Sequence, residues 1–237
     1  MANVVNEVNG KEAREPHSRE RLMEAATELF VERGFRAVSI RGIADRARTN
    51  SALISYYFGD KEGLFIEVFK IVAEPLNSAR MANFDLLEAA GDVSVETLVE
   101  AWVAPMFAGQ SLAKESPVAA LSLSLNAEHS KLAEQLVVEV YDEVNTRFIN
   151  LLERCLPDVS RSTLVWRLYF LVGAVLTATR PRSRSVRNLS NGLLSPQDPQ
   201  ELIHQLVNFA AAGFRALELD VATRNRTTHK TRKPALA

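Results

Sequence analysis

Apolar residues recur along the chain at the spacing of helix faces. Leu22, Ala25, Ala26, Leu29 and Phe30 follow the i, i+3, i+4, i+7, i+8 pattern, with Ser18 ahead of them as a candidate N-cap and Gly34 behind as a stop. A short second helix is predicted after Ser39, carrying Ile40, Ile43, Ala44 and Ala47. A third spans about 50–57, with Ile54 and Phe58 one turn apart. A fourth starts near Asp60 and carries Leu64, Val68, Ile71 and Val72 inward. Residues 1–17 are polar and aperiodic and read as a flexible arm.

Beyond Pro75 the periodic segments lengthen, and Gly91, Gly109, Ser116-Pro117, Pro157 and Pro181 mark their ends. Helices are predicted near 94–107, 117–126, 128–155, 160–179 and 198–219. The helix that follows Ser160 is apolar nearly all round, from Leu164 through Trp166, Phe170 and Val172 to Leu176. One of its faces must meet its own domain and the other something else, most simply a second subunit. Residues 180–196 read as a loop. Residues 221–237 carry Arg224, Arg226, Lys230, Arg232 and Lys233 with no acid, a composition that stays disordered or assists nucleic-acid binding.

Composition narrows the class. With 10 Gly and 9 Pro placed near predicted loops, an all-α chain is favoured over a sandwich or barrel. One cysteine, Cys155, excludes an intrachain disulfide, and the N-terminus has no secretion leader, so a reducing cytoplasm is expected. The longest apolar stretch, 168–178, is too short for a bilayer and directly follows Arg167, so no membrane role is expected. Net charge is −1, but unevenly spread. Residues 33–61 hold six basic side chains against two acidic, whereas 71–179 hold seven against fourteen. A basic head on an acidic body suits a phosphate-binding module on a sensor, though solvated helix faces of differing composition would read the same way.

Two short helices joined by a tight turn, set on a core of Ile43, Ile54 and Phe58, can place a helix end in a DNA major groove. That arrangement leaves Thr49, Asn50, Ser51, Ala52, Leu53, Ser55 and Tyr56 outward. Asn and Ser can hydrogen-bond base edges, and Ala or Leu can meet a thymine methyl. Tyr57 and Lys61 follow as donors suited to phosphate oxygens.

The run SRERLMEAATELFVERGFRAVSIRGIADRARTNSALISYYFGDKEGLF closely resembles the tetracycline-repressor (TetR/AcrR) family, whose DNA-binding domain has this length and ends in a pattern like Tyr56-Tyr57-Phe58-Gly59-Asp60-Lys61-Glu62. More weakly, the residues around 166–173 and the run AAAGFRA resemble the branch of fatty-acid-responsive repressors. The resemblance implies Arg41, Asn50, Ser51, Ala52 and Tyr56 as groove contacts, with Ser39, Ser55, Tyr57 and Lys61 on phosphates. Two positions depart from the pattern. Arg48 stands where glycine is usual in the turn, which implies a strained left-handed residue or an altered turn. Gly42 stands where an acid often completes the helix cap, which implies a less stable second helix.

The expected architecture is therefore an N-terminal three-helix helix-turn-helix domain over 18–65, followed by a larger helical ligand-binding and dimerisation domain over 66–220. Expected partners are a double-stranded operator of near-palindromic sequence, a second copy of the chain, and a small apolar effector, acyl-type in the fatty-acid reading. Sensor domains of the family enclose a pocket, for which Trp102, Met106, Phe107, Leu121, Leu125, Tyr141, Asn145, Phe148 and Tyr169 are candidates; ordinary core packing uses the same residue types. The helix from Lys61 to Asn77 would link pocket and head. No cofactor and no metal are expected: His129 with Glu128 or Glu134 reads as a ligand set or as a solvated helix end. No catalytic constellation is present, since HExxH, GxGxxG, Walker and GxSxG motifs are all missing. The rival readings are a helical protein-interaction adaptor and an enzyme with an unrecognised site.

Overall fold

The computed structural model describes residues 14–108, 116–125, 130–179, 188–193 and 198–217. Expectations for residues 1–13, Glu128, His129, most of 180–196 and the basic tail lie outside the described residues. Among those described, every long element is helical, and none is long and apolar enough to cross a membrane.

Helix α1 (Arg14–Ala37) starts a turn earlier than predicted. Ser18 is thus a buried residue inside the helix and not its cap, and its hydroxyl accepts from Arg21 at 3.3 Å. Gly34 interrupts the helix as expected, with φ 74° and ψ 168°. A side chain there would be strained, and its Cβ would lie 3.1 Å from that of Ser124.

Helix α2 (Ile40–Ala47) is capped by Ser39, whose hydroxyl accepts from the Gly42 N–H at 3.0 Å. It ends in a left-handed Arg48 with φ 52°. The Arg48 N–H donates to the Asp45 carbonyl and the Thr49 N–H to that of Ala44, at 3.2 and 3.0 Å, which is a Schellman closure. Helix α3 (Ala52–Phe58) then leads through the Asp60 cap into α4 (Lys61–Ala90).

The body comprises α5 (Val95–Val103) with a 3₁₀ turn (Ala104–Met106), α6 (Pro117–Leu125), α7 (Ser130–Leu136), a π-helical turn (Val137–Tyr141), α8 (Asp142–Cys155), α9 (Arg161–Ala178) and α10 (Pro199–Arg215). Two features differ from expectation. Helix α4 runs through Pro75 to the left-handed Gly91, because proline removes only one backbone donor and the buried Leu76, Arg80 and Phe84 hold the following turns. Ile71 points outward and is 58% exposed, since the inward stripe of α4 passes through Val68, Phe69 and Ala73.

The core has two centres. In the head, Phe65 meets Phe30 and Phe35 edge-on at 4.9 and 5.0 Å. In the body, Phe148 lies about 6 Å from the rings of Phe84, Trp102 and Phe214. Leu121 and Leu125 of α6, with Leu132 and Leu136 of α7, belong to the head's cluster. The expected boundary at 65/66 therefore falls within one continuous helix, and body helices complete the core of the head.

Candidate nucleic-acid interface and internal cavity

Ile54, fully buried, anchors α3 to the head, and Ser51, Ala52, Ser55 and Tyr56 consequently face solvent, Tyr56 with 70% of its surface exposed. Asn50 turns its side chain back so that Oδ1 accepts from the Ala52 N–H at 2.9 Å. Its Nδ2 group retains two donors. Arg41 is exposed on α2, 3.9 Å from Asp45. Ser39 serves first as the cap of α2. These side chains surround one exposed edge of the head.

Others expected there are drawn inward. Thr49 and Leu53 are half-buried, and Leu53 packs against the head core. Phe58, expected in that core, is half-buried at its margin, with the Arg19 guanidinium 5.3 Å above its ring. Tyr57 is half-buried between Tyr56 and Phe58. The Lys61 ammonium sits 4.3 Å over the Phe35 ring, and partial burial pulls its pKa down. Arg46 clamps α2 to α1 through Glu28 at 2.6 Å.

In the body, a cavity of about 480 Å³ lies among α4, α5, α6, α7, the π turn, α8 and α9. Six of the predicted pocket residues line it: Trp102, Met106, Leu125, Tyr141, Asn145 and Tyr169. Phe107, Leu121 and Phe148 do not; they are packed in the two cores. The exposed lining residues are Val137 of the π turn, Asp142 and Thr146 of α8, and Arg161, Val165, Tyr169 and Gly173 of α9, so the cavity opens along these elements.

Its buried charge is Arg80, 1% exposed, which falls between Leu76 and Phe84 on the inward stripe of α4 although its residue type is one expected at the surface. The guanidinium lies 3.7 Å over the Trp102 ring and donates from Nε to the Trp102 carbonyl at 2.8 Å. Burial lowers its pKa to about 10, which leaves it charged at neutral pH. Burial likewise lifts the Tyr141 hydroxyl to about 12, so that group stays neutral.

Comparison with known proteins settles the family. The model for the N-terminal domain of bacterial regulatory proteins of the tetR family matches residues 22–68, and that for a tetracyclin repressor-like C-terminal domain matches 100–213, together about two thirds of the chain. The chain belongs to the tetracycline-repressor family. Among curated relatives, the HTH-type transcriptional repressor NicS of Pseudomonas putida is 37% identical over 62 residues, and the HTH-type regulatory protein RaaS of Mycobacterium tuberculosis is 42% identical over 62. Each match spans 26% of this chain and 29% of the relative. The fatty acid degradation regulator FadR from Bacillus halodurans shares the fold, with a TM-score of 0.53 at 17% identity over 84% of this chain and 99% of that one.

Within this TetR-family chain, the matched segments coincide with the two features just described. The first contains the exposed edge of α2 and α3. The second contains the cavity except for its α4 wall, which is supplied by Phe69 and Arg80. Two features of the cavity escaped sequence reasoning. Arg80 puts a charged residue type on the buried stripe of α4, and the π turn departs from the helical period.

Proposed function

We propose that this TetR-family protein is a ligand-responsive, dimeric DNA-binding transcriptional regulator, a repressor released from a near-palindromic operator when a small molecule fills the cavity. The observation that carries this reading is the outward edge of α3: an anchored, buried Ile54 beneath solvent-facing Asn50, Ser51, Ala52, Ser55 and Tyr56. Those side chains suit base edges, and Arg41, Ser39, Ser55, Tyr57 and Lys61 suit the flanking groove and phosphates. The chain works in this reading by binding, in the cytoplasm, without a catalytic step.

Dimerisation is supported by the stripe of Trp166, Phe170, Gly173 and Thr177 on α9, continued on α10 by Phe209, Ala212 and Gly213. Trp166, Phe170 and Phe209 are each more than 60% exposed in the single chain, which leaves a large apolar face for a second copy. Two routes join cavity and head. Helix α4 carries Arg80 at the cavity and Leu64 in the head core, and α6 carries Leu125 at the cavity and Leu121 in the head core.

The test is fluorescence anisotropy with DNA from upstream of the protein's own gene. The expected result is a complex that weakens steeply with salt and discriminates against scrambled DNA. Equal, weak binding to both sequences would refute the regulator reading.

A further inference from the structure

Arg80 presents a physical problem that the chain's own side chains do not solve. Its guanidinium has five N–H donors but makes a single hydrogen bond, and the buried Nη2 has no partner. No carboxylate among the described residues lies within ion-pair distance of it; the titratable group that couples to it is the neutral Tyr141 hydroxyl. Stacking on Trp102 offsets part of the desolvation, but a buried, unpaired charge is normally destabilising unless an anion completes it.

The remaining walls narrow what that anion can be. Leu125, Leu136, Ile149, Leu168, Val172 and Val175 form an apolar enclosure. Asn145 accepts from the Trp102 indole N–H at 3.3 Å through Oδ1, which leaves its Nδ2 as a neutral donor in the lining. Asp142 lies on the exposed rim, away from the buried end. Arg161, the other cation of the lining, stands exposed at the mouth and is held by Glu153 and Asn150, so a second anionic group deep in the cavity would lie against hydrocarbon. A volume of about 480 Å³ falls in the range of small-molecule sites.

We propose that the effector of this cavity is a monocarboxylate with an apolar body, its carboxylate accepting from the Arg80 guanidinium and its body lying against the aliphatic wall. The inference rests on the reading of the cavity as an effector site, and it separates a free acid from the corresponding alcohol, ester or thioester, which lack the charge Arg80 requires.

The experiment is calorimetric titration of the full chain, without DNA, using octanoate and 4-phenylbutanoate against 1-octanol and 4-phenylbutan-1-ol. In the wild type at least one acid should bind about tenfold or more tightly than its alcohol, the scale of a charge-assisted contact in a buried site. In Arg80→Met the ratio should fall to about one; in Arg80→Lys part of the preference should remain. A ratio near one in the wild type overturns the proposal, as does a preference that survives Arg80→Met, or no binding of either acid at millimolar concentration. The wild-type ratio holds as a test even if a variant fails to fold. Arg80-dependent acid binding by a protein that ignores DNA would uphold the anion site and refute the regulator reading. A salt-sensitive operator complex without such binding would do the reverse.

Discussion

Arg48 occupies the one turn position in the head where a left-handed backbone is needed and glycine is absent. Its closure of α2 is otherwise regular, so the strain is local and should be relieved by substitution. Arg48→Gly is expected to raise stability by about 0.5–1 kcal/mol, the gain at a left-handed site less the added freedom of glycine in the unfolded chain. A shift in urea midpoint at constant slope measures it, and a lower midpoint would mean the Arg48 side chain supports the fold. Lys61 tests a different balance. Its ammonium rests on Phe35, so a phosphate must compete with the ring. Lys61→Ala should cost about 0.5–1 kcal/mol of stability from the lost cation–π contact and reduce the salt slope of DNA binding by about one unit. An unchanged slope would assign Lys61 to the fold alone.

Between elements, ion pairs tie α4 to α8 and to the π turn, and α5 to α10. Glu88 is held below the usual carboxylate range chiefly by hydrogen bonding from Arg147, then from Arg154, both on α8. Glu139 of the π turn is lowered chiefly by Lys70 of α4, and Glu96 of α5 by Arg215 of α10. For each, the unfolded chain takes up protons first as pH falls, so the stabilisation is present above about pH 4.3 and is lost progressively below it. Urea midpoints should be level between pH 7 and 5.5 and decline toward pH 3; no decline would mean these exposed pairs contribute nothing. Helix existence was legible in the sequence because Leu22 to Phe30 follow one period and the run of α9, apolar nearly all round, is too long for a strand. The end of α4 was not, because Pro75 is a strong local stop signal that buried contacts at Leu76, Arg80 and Phe84 override. The cavity was half legible for a related reason. Trp102 and Phe148 both sit in the body core, yet only Trp102 also lines the cavity, a difference set by tertiary packing.

For the whole molecule, the exposed stripe on α9 and α10 predicts assembly. Trp166→Glu with Phe170→Glu places two charges on a face already exposed in the single chain, so folding should persist while the dimer dissociates. Sedimentation should show the change at micromolar concentration, with loss of operator binding because two recognition helices no longer span successive grooves. A dimer that survives would place the seam elsewhere. The π turn between α7 and α8 carries a genetic consequence. Its wide turn holds one residue more than an α-helix requires, and the Asn77 amide donates to its Val140 carbonyl at 2.7 Å. Deleting a single codon from 137–140 would remove that extra residue and let the helix heal with its two flanks still in phase, because the wide turn absorbs the additional rotation of about 100°. Ala133 and Leu136 would then still share the cavity with Tyr141, Asn145 and Ile149. Loss of one codon here is expected to spare the binding site, whereas the same loss inside α8 would turn the residues beyond it by about 100° and erase it.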